Sequence, residues 1–202
     1  MQSIWPSKRR KYRRNKTVLS TLAIFIIVLI VSILSYGFYR SNEPKQVFDW
    51  KTLTASEAVL DTDYGQIEIV FLKDKAPLAI AGFVKLAQDG KFDGANVSRL
   101  TKEFVQLGTM STTSAGVYIS DSPNGEKMVR GSVATVSLGN NSTSTEFFVV
   151  RENSAPWLEK THAVFGKILV GMDVIDKIAK QSSDKNGKPL KPIKINKVLI
   201  IK

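Results

Sequence analysis

The chain has 202 residues, of which 43% are hydrophobic and 23% charged, with a formal charge of +11, one histidine and no cysteine. That balance suits one globular domain plus an appendage. The absence of cysteine excludes disulfides, thiol nucleophiles and thiolate metal sites, and a single histidine argues against a histidine-based metal cluster.

The charge is uneven. Residues 1–40 carry eight basic side chains and no acidic one, which leaves residues 41–202 at about +3. The basicity therefore reads as a property of a tail and not of a folded face, and no nucleic-acid partner is expected. After the basic tail, 1–16, comes the uncharged stretch TVLSTLAIFIIVLIVSILSYGFY at 17–39. As a helix these residues would rise about 34 Å, enough for a bilayer core of about 30 Å. The apolar run exceeds the about 7–15 residues of a secretory signal, and no A-x-A site follows it, so an uncleaved signal anchor is expected. The preceding basic run predicts a cytoplasmic N-terminus, with Tyr36, Phe38 and Tyr39 at the outer interface. The C-terminal domain would then lie outside the cytoplasm, joined to the cell membrane by a single pass. A bacterial cell is the setting this suggests.

Residues 40–56 (RSNEPKQVFDWKTLTAS) read as a linker, and 57–202 as the domain. Ile67, Ile69 and Phe71 alternate with Gln66, Glu68 and Val70, the pattern of a half-buried strand. The D-Y-G turn before it predicts a hairpin with VLDT. KDKAPLAIAGFVKLAQDGKF carries helix signals. Pro77 suits the first turn, Ile80, Phe83, Val84 and Ala87 share a face, and Gly90 ends it. Further strands are expected at 96–100, 104–108, 131–138 and 146–150, and a second helix in GMDVIDKIAKQ. Alternation returns in PIKINKVLIIK, which should close the sheet. Many strands with two helices suggest a mainly β, barrel-like domain with helices over its ends.

No nucleophile elbow and no phosphate-cradling glycine loop is present. Binding remains, or a reaction that needs neither acid, base nor nucleophile. No metal or cofactor is expected.

Four segments, in order, resemble cyclophilin-type peptidyl-prolyl isomerases. They are YGQIEIVFLKDKAPLAIAGFVKLAQDGKFDG, SRLTKEFVQLG, RGSVATVSLGNNSTSTEFFVV and WLEKTHAVFGKILVGMDVIDKI. The resemblance spans about residues 58–202. It implies an eight-stranded antiparallel β-barrel capped by two helices, and isomerisation of Xaa-Pro bonds in proline-containing polypeptides. By the same resemblance Arg99 falls on the catalytic arginine. Phe104 and Phe148 fall on the pocket phenylalanines, and Trp157, Leu158 and His162 on the far rim. Val105 takes a position commonly held by methionine, as the pocket floor.

The departures from the family pattern are specific. Val97 and Ser98 replace the usual Phe-His. Leu107 stands where a glutamine bonds the arginine, and Glu146 replaces a second pocket glutamine. Val136 and Ser137 stand for the Ala-Asn whose backbone binds the residue before proline. The loop after β-strand 104–108 is shortened to TMSTTSAG. Gln106 lies beside Leu107, but one step along a strand reverses the face, so Leu107 is taken as the pocket residue. Two readings stay open: a membrane-anchored prolyl isomerase of reduced activity that assists folding, or a catalytically weak module that binds proline-containing segments or a partner protein. The sequence leaves the oligomeric state open.

Overall fold

The computed structural model describes residues 25–35, 54–109, 123–137 and 143–202. Residues 25–35 are helical (α1). The expected span 17–39 otherwise lies outside the described residues, as do most of the linker and most of the loop TMSTTSAG. Among the described residues no helix is long and apolar enough to cross a membrane.

In the compact unit Phe48–Lys202, β1 (Glu57–Thr62) and β2 (Gly65–Phe71) form the expected hairpin, Thr62 facing Gly65. Then follow α2 (Pro77–Gln88), β3 (Val97–Leu100), β4 (Phe104–Thr109), β5 (Ser132–Ser137), β6 (Thr143–Val150), β7 (Val164–Val170), α3 (Met172–Ala179) and β8 (Ile195–Ile201). All eight strands belong to one antiparallel sheet in the order β3-β4-β6-β5-β7-β2-β1-β8. The two ends of the sheet meet. Val97 N–H donates to the Ile193 carbonyl at 2.8 Å and Ile195 N–H to that of Ala95 at 2.7 Å, so the sheet curls into a barrel.

Alternation sorts the side chains. Ile67, Ile69, Val105, Leu107, Val133, Phe147, Val149 and Phe165 fill the interior. The apolar face of α2 covers one end, with Ile80, Phe83 and Val84 buried. Phe83 is the hub of an aromatic cluster, with Phe92, Phe147 and Phe165 rings 5.0, 5.4 and 5.4 Å away. Such offset and edge contacts add to the burial of the rings themselves. On α3, Ile175 and Ile178 are fully buried.

β7 was not expected from periodicity. Its run AVFGKILV contains a glycine and lacks clean alternation. The glycine is what allows the strand to pack. A Cβ on Gly166 would lie 2.7 Å from Ile69 Cγ2 and 2.9 Å from the Val70 carbonyl oxygen, so only glycine lets β7 approach β2 at this point.

Candidate functional site

The outer surface of β3, β4, β5 and β6 carries the site. Facing residues in an antiparallel pair share a side of the sheet. Gln106 faces Phe148, Phe104 faces Val150, Gly108 faces Glu146, and Ala134 faces Phe148 from the other side. The outward set therefore includes Phe104, Gln106, Ala134, Glu146 and Phe148. Phe148, Ala134 and Val150 form a second apolar cluster with Met128, Ala155 and Val164, against which Phe104, Val136 and Leu158 pack.

Arg99 reaches this surface because β3 contains a bulge. Val97 faces Leu107 but Arg99 faces Gln106, so two residues of β3 advance against one of β4. Ser98 is the extra residue, its hydroxyl 3.4 Å from the Gln106 carbonyl. Without the bulge, Arg99 would share the inward side of Val97. With it, Val97 and Leu100 both point into the core while Arg99 is exposed. Bulges re-aim side chains in this way next to functional sites. The Arg99 guanidinium carbon lies 5.9 Å from the Phe104 ring centroid, within cation–π range.

The turn between Arg99 and Phe104 is held from both sides. Thr101 Oγ1 accepts from the backbone N–H groups of Glu103 and Phe104 at 3.2 and 3.0 Å. Arg151, just after β6, donates from Nη1 to the carbonyls of Thr101 and Lys102 at 3.1 and 3.2 Å. Its Nε donates to Asp176 of α3 at 3.3 Å, and Arg130 also binds that carboxylate. Arg130 first and Arg151 second hold the Asp176 carboxyl below its usual range, against some desolvation.

His162 completes the wall. Its ring stands edge-on to Phe148, centroids 5.0 Å apart, while Phe148 lies 5.2 Å from Phe104. His162 Nδ1 is 3.0 Å from the Thr135 carbonyl, which requires the proton on Nδ1. Burial lowers the histidine pKa, and the Thr135 bond partly opposes that shift. The ring at neutral pH is thus a neutral, largely apolar surface. Trp157, in the short 3-10 turn Pro156–Leu158, is 58% exposed at the rim, while Leu158 packs on the cluster.

The sequence reading needs correction at two residues. Val105 and Leu107 were expected in the pocket. Both are 0% exposed and lie in the barrel interior with Val97, Phe147 and Val149. The rule that adjacent strand residues face opposite ways holds, but the outward member of the pair is Gln106. The signal was present in FVQLG, where Val105 and Leu107 are the alternating apolar positions. The family pattern aligns Leu107 with the pocket glutamine, and the face rule then assigns Gln106 to the wrong side of β4.

Gln106 also changes the reading of Glu146. Its Nε2 donates to Glu146 Oε2 at 2.8 Å. A carboxylate only accepts, so this bond fixes which way the amide is turned. Glu146 is 3% exposed and also borders a small cavity beneath α2, beside Phe83 and Phe92. Among the described residues its hydrogen bond comes from Gln106 and not from Arg99. Ser137 ends β5 opposite Thr143. The structure thus brings Arg99, Phe104, Val136, Phe148, Leu158 and His162 to one surface, with Glu146 buried behind it and joined to it through Gln106. Among the described residues no group of three metal-ligating side chains converges.

Comparison with known proteins follows the same lines. The chain is 28% identical over 170 residues to peptidyl-prolyl cis-trans isomerase 9 of Schizosaccharomyces pombe, covering 80% of this chain but only 28% of that protein. It is 26% identical over 151 residues to ppi1 of the same organism, covering 70% of this chain and 97% of the relative. A peptidyl-prolyl cis-trans isomerase of Synechococcus elongatus is 31% identical over 116 residues, 55% of this chain and 79% of that protein. Fungal and cyanobacterial relatives together do not single out a bacterial source. A crystal structure of a cyclophilin type peptidyl-prolyl cis-trans isomerase from Cryptosporidium parvum superposes with a TM-score of 0.63. It is 23% identical and covers 73% of this chain and 98% of its own. The family profile of cyclophilin type peptidyl-prolyl cis-trans isomerases matches residues 58–200. A curled eight-stranded sheet under two helices, with that profile running through nearly all of it, places the chain in the cyclophilin type peptidyl-prolyl cis-trans isomerase family.

Proposed function

We propose that the domain catalyses cis–trans isomerisation of Xaa-Pro bonds, with Arg99 as the catalytic group. The observation that carries this is the bulge at Ser98, which turns Arg99 out of the core and sets it beside Phe104 and opposite Gln106. The reaction breaks no covalent bond. Its barrier, about 18–20 kcal/mol in ordinary peptides, comes from amide conjugation. Twisting the bond localises a lone pair on the proline nitrogen. A guanidinium N–H aimed there stabilises the twisted state and not the planar one, which is differential binding of the transition state.

The Phe104–Phe148–His162 wall suits the proline ring. It is apolar, with both phenylalanines on strands and His162 just before β7, and its histidine carries no charge at neutral pH to compete with Arg99. A related Cryptosporidium parvum protein has been crystallised in the presence of the dipeptide Ala-Pro, which makes short prolyl peptides suitable probes here.

A hydrogen bond from a charged donor contributes about 1.5–3 kcal/mol. Arg99→Ala should therefore lower kcat/KM by about 10- to 100-fold in a prolyl-peptide assay. Rates unchanged by the substitution would refute the assignment.

The second reading, a weak module that binds without appreciable turnover, draws on the 2.8 Å bond between Gln106 and Glu146. That bond occupies an amide donor that a substrate carbonyl could otherwise use. Peptide binding that survives without turnover favours the module.

The clients we propose are polypeptides folding outside the cytoplasm, reached by a domain tethered through the uncharged stretch 17–39. Protease digestion of intact cells tests this, since a domain outside the membrane is degraded and one inside is spared.

A further inference from the structure

The modest net charge of the domain conceals a division. Residues 54–176 hold eleven basic and fifteen acidic side chains, net −4, while 177–202 hold eight lysines and one acid, Asp184, net +7. The second group does not trail away from the fold. The segment between α3 and β8 runs alongside β3. Leu100 N–H donates to the Gly187 carbonyl at 2.7 Å, and a Cβ on Gly187 would come within 3.2 Å of Arg99 Cγ. The lysine-rich loop therefore flanks the proposed catalytic arginine directly.

The loop is a built turn. Asp184 Oδ1 accepts from the backbone N–H groups of Asn186 and Lys188 at 2.8 and 2.9 Å, and Gly187 N–H returns to the Asp184 carbonyl at 3.0 Å. Leu190 N–H reaches the Ser182 carbonyl at 2.9 Å, with Ser183 bridged to Pro189. The only carboxylate of the segment is engaged by backbone amides and forms no ion pair among the described residues. Lys185, Lys188 and Lys191 are exposed, and none enters an ion pair among the described residues. The Lys194 backbone N–H donates to the Asp63 carboxylate at 2.8 Å, and Lys197, in β8, faces Asp61. A charge run is ordinarily a solvated face. Around Gly187 it is fixed in shape, its lysines at 185, 188 and 191 are without ion pairs among the described residues, and it is seated against one residue of the site.

We infer that this loop is a docking surface for acidic stretches of the polypeptide whose proline occupies the Arg99 site. The site reading of Arg99 enters only in saying where the proline lies. Exposed pairs of this kind are individually weak and are screened over about 10 Å at 0.1 M salt. Their effect is therefore a salt-dependent preference.

The test uses the full-length chain and fluorescently labelled Ala-Pro peptides flanked by glutamates, by lysines or by neutral residues. Anisotropy titrations at about 20 mM and about 300 mM salt should show the glutamate peptide binding about fivefold to tenfold tighter than the neutral one at low salt, with the gap closing at high salt. In Lys185→Glu/Lys188→Glu the segment falls from +7 to +3 and the glutamate preference should shrink to within about twofold. Circular dichroism confirms that the variant is folded, and a preference as large as the parent's would overturn the inference. Glutamate and neutral peptides that bind alike at low salt would overturn the inference, as would a preference indifferent to salt. Displacement of the glutamate peptide by lower concentrations of a single-stranded oligonucleotide would also overturn it, assigning the surface to nucleic acid. Because the readout is binding, glutamate preference without turnover sinks the isomerase reading alone. Turnover without preference sinks this one alone.

Discussion

Leu107→Gln would restore the family's glutamine to its usual place in the sequence, and read from the sequence alone it should improve the site. The structure reverses that expectation. Leu107 is 0% exposed and sits between Val97 of β3 and Phe147 of β6 on the inward side of the sheet. Removing the buried leucine forfeits about 1.5–3 kcal/mol of transfer free energy. Burying a carboxamide where the neighbours are apolar adds about 1–3 kcal/mol. The sum, about 2.5–6 kcal/mol, is a large share of the about 5–15 kcal/mol by which a domain is ordinarily stable. Thermal unfolding should move down by roughly 10 °C for a domain of this size, and the urea midpoint should fall with it. In a prolyl-peptide assay at low temperature the surviving folded fraction should be no faster than the parent. A Leu107→Gln chain that unfolds within about 1 kcal/mol of the parent and isomerises faster would refute the placement of Leu107 in the core and of Gln106 on the surface.

Two other outcomes are expected. His162 is the sole histidine, and burial lowers its pKa below the unfolded value near 6.5. The unfolded chain therefore binds more protons, so the contribution of the neutral ring is full above that value and is lost as pH falls from about 6.5 through the folded pKa. The thermal midpoint should drop between about pH 7.5 and 5.5 in the parent, and His162→Gln should flatten that drop; an unchanged slope would dismiss the histidine as its cause. Arg151→Ala removes the donors that hold the turn between Arg99 and Phe104 to α3, and should cost about 1–3 kcal/mol in urea unfolding together with a fall in kcat. Arg151→Lys should not rescue the rate, because one ammonium cannot reproduce the planar fork that meets two carbonyls and a carboxylate. Full rescue by lysine would leave the clamp without its geometric basis.

Most of the fold could be read from periodicity because its elements obey one rule each. The alternation around Ile67 and Ile69, the helical face of Ile80, Phe83 and Val84, and the return of alternation near the C-terminus all correspond to observed elements. β7 escaped because its glycine serves a contact with β2, which no local pattern encodes. At the site, Phe104, Phe148 and His162 were legible through resemblance and lie together. Gln106 was not, although the apolar alternation of Val105 and Leu107 marked it as outward. The bulge at Ser98 is a property of two strands paired and has no signature in either one. The basic loop was hidden by averaging, since its charge is offset by acidic residues elsewhere on the domain.

The pairing of β1 with β8 has a consequence for biosynthesis. Glu57 faces Ile201, and Ser56 N–H donates to the Ile201 carbonyl at 2.9 Å. The first strand to leave the ribosome thus waits for the last. Until the final residues are free, β1 and β3 both present open edges, and the loop to be closed is nearly the whole domain. Contacts of such long sequence separation form slowly and leave the nascent chain open to misassociation. A chain cut short by even the last strand would keep both edges exposed permanently. The domain is therefore one whose sheet closes late, and loss of β8 should be tolerated far less than the trimming of an ordinary loop.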